Sequence, residues 1–115
     1  MRSGIQFKQR DVVIVPFPFS DLTAVKRRPV LVLSNDEYNT STQDMLVCAM
    51  TSNLKNSDYS ILISNDDLES GSIPAPSRVK MDKLFTIEQD KAIKKVAIIS
   101  KSSFDEVKKG LKSII

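Results

Sequence analysis

The apolar residues of this chain fall into short, β-branched runs divided by polar breaks, a rhythm of strands rather than helices. The first two runs are residues 12–17 (VVIVPF) and 30–33 (VLVL), separated by a polar segment over 20–28 that is bracketed by Pro16, Pro18 and Pro29. Pro18 has no N–H to give a ladder, so the first strand is predicted over Asp11–Phe17. A long loop to Arg28 and a second strand over 29–34 follow. Asn35-Asp36 offers a turn or helix cap before a single helical turn at 37–39. Residues 45–52 are apolar until Thr51, which predicts a central strand buried on both faces. A fourth strand is predicted over 59–64 and a short helical turn over 65–68. Gly71, Pro74 and Pro76 make 69–76 read as a loop. A fifth strand spans 77–81, with 84–87 pairing weakly after it.

Residues 92–99 admit two readings: Ile93, Val96 and Ile99 suit a helical face, while 96–99 alone suits a strand. The tail is plainer. Phe104, Val107, Leu111 and Ile114 recur at spacings of three, four and three, which predicts an amphipathic helix. Ser102 with Asp105, or Ser103 with Glu106, would open it as a capping box, and Lys108, Lys109 and Lys112 complement its C-terminal dipole. Residues 1–9 are polar and without a period, so partial disorder is expected there. Five or so short strands and one terminal helix make a mainly β (α+β) chain, a half-open β-barrel with a C-terminal α-helix on its flank. At 115 residues, 1–115 is expected to be one domain.

A net charge of +3 and a pI near 9.1 lean only weakly toward an anionic partner. The lone cysteine, Cys48, excludes an internal disulfide and sits in an apolar run, so a buried structural thiol in a reducing compartment is expected. No apolar run approaches the ~18 residues of a membrane span and no secretory leader is seen, which predicts a cytoplasmic protein. With no histidine in the chain, a Ser-His-Asp triad and His-based metal sites are excluded. No phosphate-binding loop or GxGxxG is present, so no cofactor and no metal are expected.

If the second and third strands pair antiparallel, the start of one lies beside the end of the other. Arg28 would then stand next to Thr51 and Ser52 at one rim, a planar fork of donors beside two hydroxyls, suited to a phosphodiester. Each element also has a plainer reading. Lys26-Arg27-Arg28 suits a solvated loop end, Thr51-Ser52 an ST-turn, and Arg78, Lys80, Asp82 and Lys83 an exposed face whose charges pair. RNA supplies its own nucleophile, the 2′-OH, leaving the protein to orient a phosphate, stabilise charge and move two protons. Arg28 suits the charge, Thr51 the positioning and Asp82 the proton from the nucleophile.

The block Asp11-Val12-Val13-Ile14-Val15, the block Arg28-Pro29-Val30-Leu31-Val32-Leu33-Ser34, the strand end Met50-Thr51-Ser52 and the run from Ser77 to Ile87 resemble, in order and spacing, the MazF/PemK toxins. The glycine usual before the aspartate is Arg10 here. The resemblance implies an SH3-like barrel of about five to seven strands, a homodimer, and an endoribonuclease that cleaves single-stranded RNA to 2′,3′-cyclic phosphate and 5′-hydroxyl ends. It implies a cognate antitoxin that inserts an acidic, disordered segment into the RNA groove. By position Arg28 matches the catalytic arginine, Thr51 the catalytic threonine, Asp82 a general-base carboxylate, and Lys80 an arginine assigned as general acid. Lysine there keeps the charge but lacks the bidentate fork. The loop histidine of some relatives is absent, and Asp21, Thr23 and Lys26 of the loop are not assigned its role. Lys26, Arg27, Ser52, Asn53, Lys55 and Arg78 are the expected RNA-binding set.

The same fold carries a different class of function in CcdB-like proteins, which poison gyrase without catalysis. Arg28 paired with Thr51, and a lysine-bearing terminal helix in place of a tryptophan-containing end, favour the nuclease. A catalytically inactive RNA-binding relative is the third reading.

Overall fold

The computed structural model describes residues 6–17 and 26–115. Seven antiparallel strands curl into an SH3-like half-open barrel. They are β1 (Asp11–Phe17), β2 (Lys26–Val32), β3 (Asp44–Thr51), β4 (Ser60–Ile63), β5 (Leu68–Gly71), β6 (Ser77–Glu88) and β7 (Lys94–Ile99), in the sheet order β4-β6-β3-β2-β1-β7-β5. A short helix, α1 (Asp36–Ser41), joins β2 to β3, and α2 (Lys101–Lys112) closes the chain. No helix among the described residues is long and apolar enough to cross a membrane.

Alternation along the strands divides the buried residues between two cores. Val12, Leu31, Cys48, Met50 and Val79 face one, which Phe104 and Val107 of α2 complete. Val13, Val15, Val30, Val32, Met45 and Val47 face the other. Phe7 packs into that second core, and its N–H donates to Gln89 Oε1 at 3.0 Å. The N-terminal segment is therefore docked at Phe7, while residues 1–5, the rest of the stretch expected to be partly disordered, lie outside the described residues. Its anchor is a buried polar junction: Gln89 Nε2 donates to the carbonyls of Asn39 and Asp44, and Asn39 Nδ2 to that of Phe7. Among the described residues every buried side-chain nitrogen and oxygen has a partner.

Several boundaries differ from the sequence reading. β2 begins at Lys26, so the three cations 26–28 are strand residues and not a loop end. Pro29 is tolerated there for a geometric reason. Leu33 N–H donates to the Leu46 carbonyl at 2.8 Å, so odd-numbered β2 residues bond toward β3, and Pro29 lies just beyond Val30, the last residue paired with β3. Pro16 likewise lies past Ile14, where β1 stops pairing with β7. Residues 18–25 of the expected loop, including Asp21 and Thr23, lie outside the described residues.

β3 is central, between β2 and β6, but Leu46 breaks its double burial at 37% exposure. The two strands expected over 77–87 are one long β6. Cys48 pairs with Leu84 and the next residue, Ala49, with Lys80, so Met81, Asp82 and Lys83 form a three-residue bulge. The odd number of extra residues exchanges the faces of β6: Val79 and Met81 enter the first core, while Phe85 and Ile87 pack on the second. The predicted loop after residue 68 contains β5, paired with β7; Gly71, at φ 77°, takes the left-handed conformation where a Cβ would run into the Val96 carbonyl. The helical reading of 92–99 gives way to a strand held between β1 and β5. Helix α2 starts earlier than expected, capped by Ser100, whose Oγ accepts from Ser103 N–H at 3.2 Å. Ser64 caps the 3-10 turn Asn65–Asp67 with a full capping box.

Candidate active site

The second core ends where β2 parts from β3, and the same sheet face continues outward as a polar cleft of about 610 Å³. Strand register assembles its floor. Val30, the last β2 residue paired with β3, pairs with Ala49, and two residues beyond that pair on each strand stand Arg28 and Thr51. Ala49 pairs in turn with Lys80 on β6. Arg28, Thr51 and Lys80 all line the cleft, and the β6 bulge adds Lys83. The opposite wall is the irregular segment between β3 and β4, through Asn53, Lys55, Asn56 and Ser57. Among the described residues four cations and no carboxylate line this space, which makes it attractive to an anion.

The hydroxyl of Thr51 accepts the N–H of Asn53 at 3.1 Å, the ST-turn of the plainer reading. A hydroxyl has two lone pairs and one proton, so the turn leaves its O–H available to donate. Lys80 Nζ donates to Ser57 Oγ at 2.8 Å, using one of its three protons. Arg78 stands opposite Thr51 in the ladder, but its guanidinium points behind the wall. There Nε donates to the Leu54 carbonyl at 3.3 Å and Nη1 to Ser60 Oγ at 3.2 Å. It therefore braces the β3–β4 segment.

Of the residues singled out from the sequence, Arg28, Thr51, Lys80, Asn53 and Lys55 come together in the cleft. Asp82, Ser52, Lys26 and Arg27 are exposed and outside its lining, and Arg78 lies behind its wall. Asp82 sits in the bulge between the core residue Met81 and the cleft residue Lys83. The sequence reading missed Asn56, Ser57 and Lys83 as cleft residues. Asn56 and Ser57 carried no signal beyond polar turn composition, and Lys83 enters only because of the bulge.

Away from the cleft, burial pushes the Cys48 thiol up to about 12, as expected for an inert structural cysteine. Asp11 is buried at the mouth of β1; its carboxylate accepts Lys8 N–H at 2.9 Å and faces Lys95 Nζ at 3.4 Å.

Residues 8–115 match the family described as PemK-like, MazF-like toxin of type II toxin-antitoxin system. Among solved structures, a MazE-MazF complex from Deinococcus radiodurans is 24% identical, with 96% of each chain covered and a TM-score of 0.75. An endoribonuclease in complex with its cognate antitoxin from a Mycobacterial species is 15% identical, covers 92% of this chain and 91% of its own, and has a TM-score of 0.74. Mycobacterium tuberculosis toxin MazF-mt6 is 17% identical over 90% of this chain and 94% of its own, at 0.73. At these identities the likeness is one of fold. Comparison with curated proteins finds no match.

Proposed function

Since this chain belongs to the PemK-like, MazF-like toxins of type II toxin–antitoxin systems, we propose that it is an endoribonuclease cutting single-stranded RNA, chiefly mRNA, without a metal or cofactor. The observation that carries the reading is that Arg28 and Thr51 line one cleft whose charged residues, among those described, are all cations. Such a surface suits a phosphodiester and gives any nucleic acid a salt-dependent foothold.

In the proposed reaction the ribose 2′-oxygen attacks the adjacent phosphorus and the P–O5′ bond breaks. The products are a 2′,3′-cyclic phosphate and a 5′-hydroxyl, and no water is consumed. Arg28 holds the non-bridging oxygens bidentately and stabilises the charge that grows on them. Thr51 donates its remaining O–H to the same phosphate. Asp82, exposed just outside the cleft lining, is assigned the 2′-OH proton from its match to the family's general-base position, and a proton of Lys80 goes to the leaving 5′-oxygen. Lys55 and Lys83 add attraction for flanking phosphates, and Lys26, Arg27, Ser52, Asn53 and Arg78 complete the RNA-binding surface either directly or by bracing it.

The same cationic cleft suits the acidic, disordered segment of a cognate antitoxin, which would occlude the RNA path, and the working form is a homodimer in the cytoplasm. Purified wild-type and Arg28→Ala protein incubated with a long single-stranded RNA in EDTA test the reading. Cleavage by the wild type ending in cyclic phosphate is expected, with Arg28→Ala slower by about 10²–10³-fold. No cleavage by the wild type on several RNAs overturns the nuclease and turns attention to gyrase binding.

A further inference from the structure

The β3–β4 segment has no regular secondary structure, yet it is held along its length. Asn53 N–H is tied to Thr51 Oγ1, and Lys55 N–H to Asn53 Oδ1 at 3.1 Å. The Leu54 carbonyl is held by Arg78, Ser57 Oγ by Lys80, and the Ser57 carbonyl by the Ser60 hydroxyl at 2.7 Å. The positive φ of 60° at Tyr59 turns the chain back into β4, and the Tyr59 carbonyl accepts Met81 N–H at 2.9 Å from the β6 bulge. A wall fixed this way presents its side chains in one geometry before any ligand arrives.

Two side chains in that wall take no part in holding it, Lys55 and Asn56. Lys55 is a point charge, suited to phosphate and blind to sequence. Asn56 is different in kind. Its exposed amide lines the cleft, forms no hydrogen bond with the described residues, and offers a donor and an acceptor side by side. That pair matches the edge of an unstacked base, the feature by which single-stranded RNA is read in sequence.

We infer that Asn56 is a specificity-determining residue: its side-chain amide reads the edge of the base next to the phosphate held by Arg28 and Thr51. Arg78, and Lys80 through one of its three protons, hold the segment that carries it. The inference rests on the nuclease reading above and adds to it where the cut sequence is chosen.

The substitution Asn56→Asp keeps the shape and replaces the donor with a second acceptor. A carboxylate pairs best with two adjacent donors, which among the four bases is the Watson–Crick edge of guanine. The experiment maps cleavage ends on a randomised single-stranded RNA pool for wild type, Asn56→Ala and Asn56→Asp, with folding checked by circular dichroism. Asn56→Ala is expected to lose discrimination at one position near the cut by on the order of 10-fold, and Asn56→Asp to move that position toward guanine. A change in which base is preferred is something a merely structural residue would not produce. Cut-site profiles identical to wild type in both variants overturn the inference and leave the nuclease standing, whereas a wild type that cuts nothing overturns both.

Discussion

At the scale of single residues, Arg10 shows how backbone and side chain pull in opposite directions. Its φ of 81° lies in the left-handed region, where the resembled family usually has glycine. The side chain compensates: Nη1 donates to the Ile99 carbonyl at 2.8 Å and to Glu69 Oε1 at 2.9 Å. Arg10→Ala would lose those bonds and keep the strain, while Arg10→Gly would lose the bonds and relieve the strain. The glycine variant should therefore be the more stable of the two by about 1 kcal/mol in urea unfolding, the reverse of the usual order. The Arg10 guanidinium also holds the Glu69 carboxyl below its ordinary value, first by the hydrogen bond and then by charge. A folded value below the unfolded one stabilises above the unfolded value of 4.5 and is lost as pH falls through the folded value. Glu69→Gln should thus be less stable than wild type at neutral pH, and the gap should close in acid. In the cleft, Thr51→Val should fold normally, since a β-branched residue suits the strand, and cut RNA on the order of 10²-fold more slowly, with Thr51→Ser restoring most of the rate. An unimpaired valine variant would return Thr51 to its turn. The juxtaposition of Arg28 and Thr51 was legible in the sequence because two strong apolar strands must pair and antiparallel pairing fixes which ends meet. The positive φ at Arg10 was not, because no local pattern marks an arginine there.

At the scale of elements, β6 separates what local pattern can and cannot reveal. Its two halves read as separate strands because the apolar alternation breaks at Met81, Asp82 and Lys83, where the ladder with β3 skips three residues. The break is a bulge, and only the partner strand shows that pairing resumes beyond it. β5 escapes the pattern for a related reason: Leu68–Gly71 carries weak strand propensity and is a strand because β7 is there to pair with. The bulge also sorts two charges. Lys83 lines the cleft, whereas Asp82 is exposed outside that lining. Lys83→Met should weaken RNA binding and flatten its salt dependence by about 0.7 on the log–log slope, the share of one phosphate contact. Asp82→Asn should slow single-turnover cleavage by on the order of 10²-fold at saturating RNA. A rate equal to wild type would remove Asp82 from the chemistry and leave the 2′-OH proton to another acceptor.

At the scale of the molecule, the surface that suits a second copy lies away from the cleft. Leu46 on β3 and Leu84 at the edge of the bulge are 37% and 43% exposed, and with Leu33, Phe104, Leu111 and Ile115 they line an apolar hollow of about 680 Å³ beside α2. Apolar side chains gathered at one surface hollow mark an interaction face. The charges of α2 favour the chain itself as occupant. Asp105 and Glu106 stand at mid-helix, 4.0 and 3.4 Å from Lys108 and Lys109 one turn on, and Lys112 lies in the last turn. Two such helices related by a two-fold axis, running antiparallel, would set the acids of one against the lysines of the other, the self-complementarity that an isologous interface requires. Sedimentation at micromolar concentration should give about twice the 12.9 kDa of one chain. Leu46→Arg should bring it to the single-chain value with the fold intact, since the leucine is already part-exposed and no core cavity forms. Reversing the charges, with Lys108→Glu and Lys112→Glu on one chain and Asp105→Lys and Glu106→Lys on another, should weaken each homodimer and favour the mixed pair. Homodimers that survive both sets of changes would show that the copies meet elsewhere.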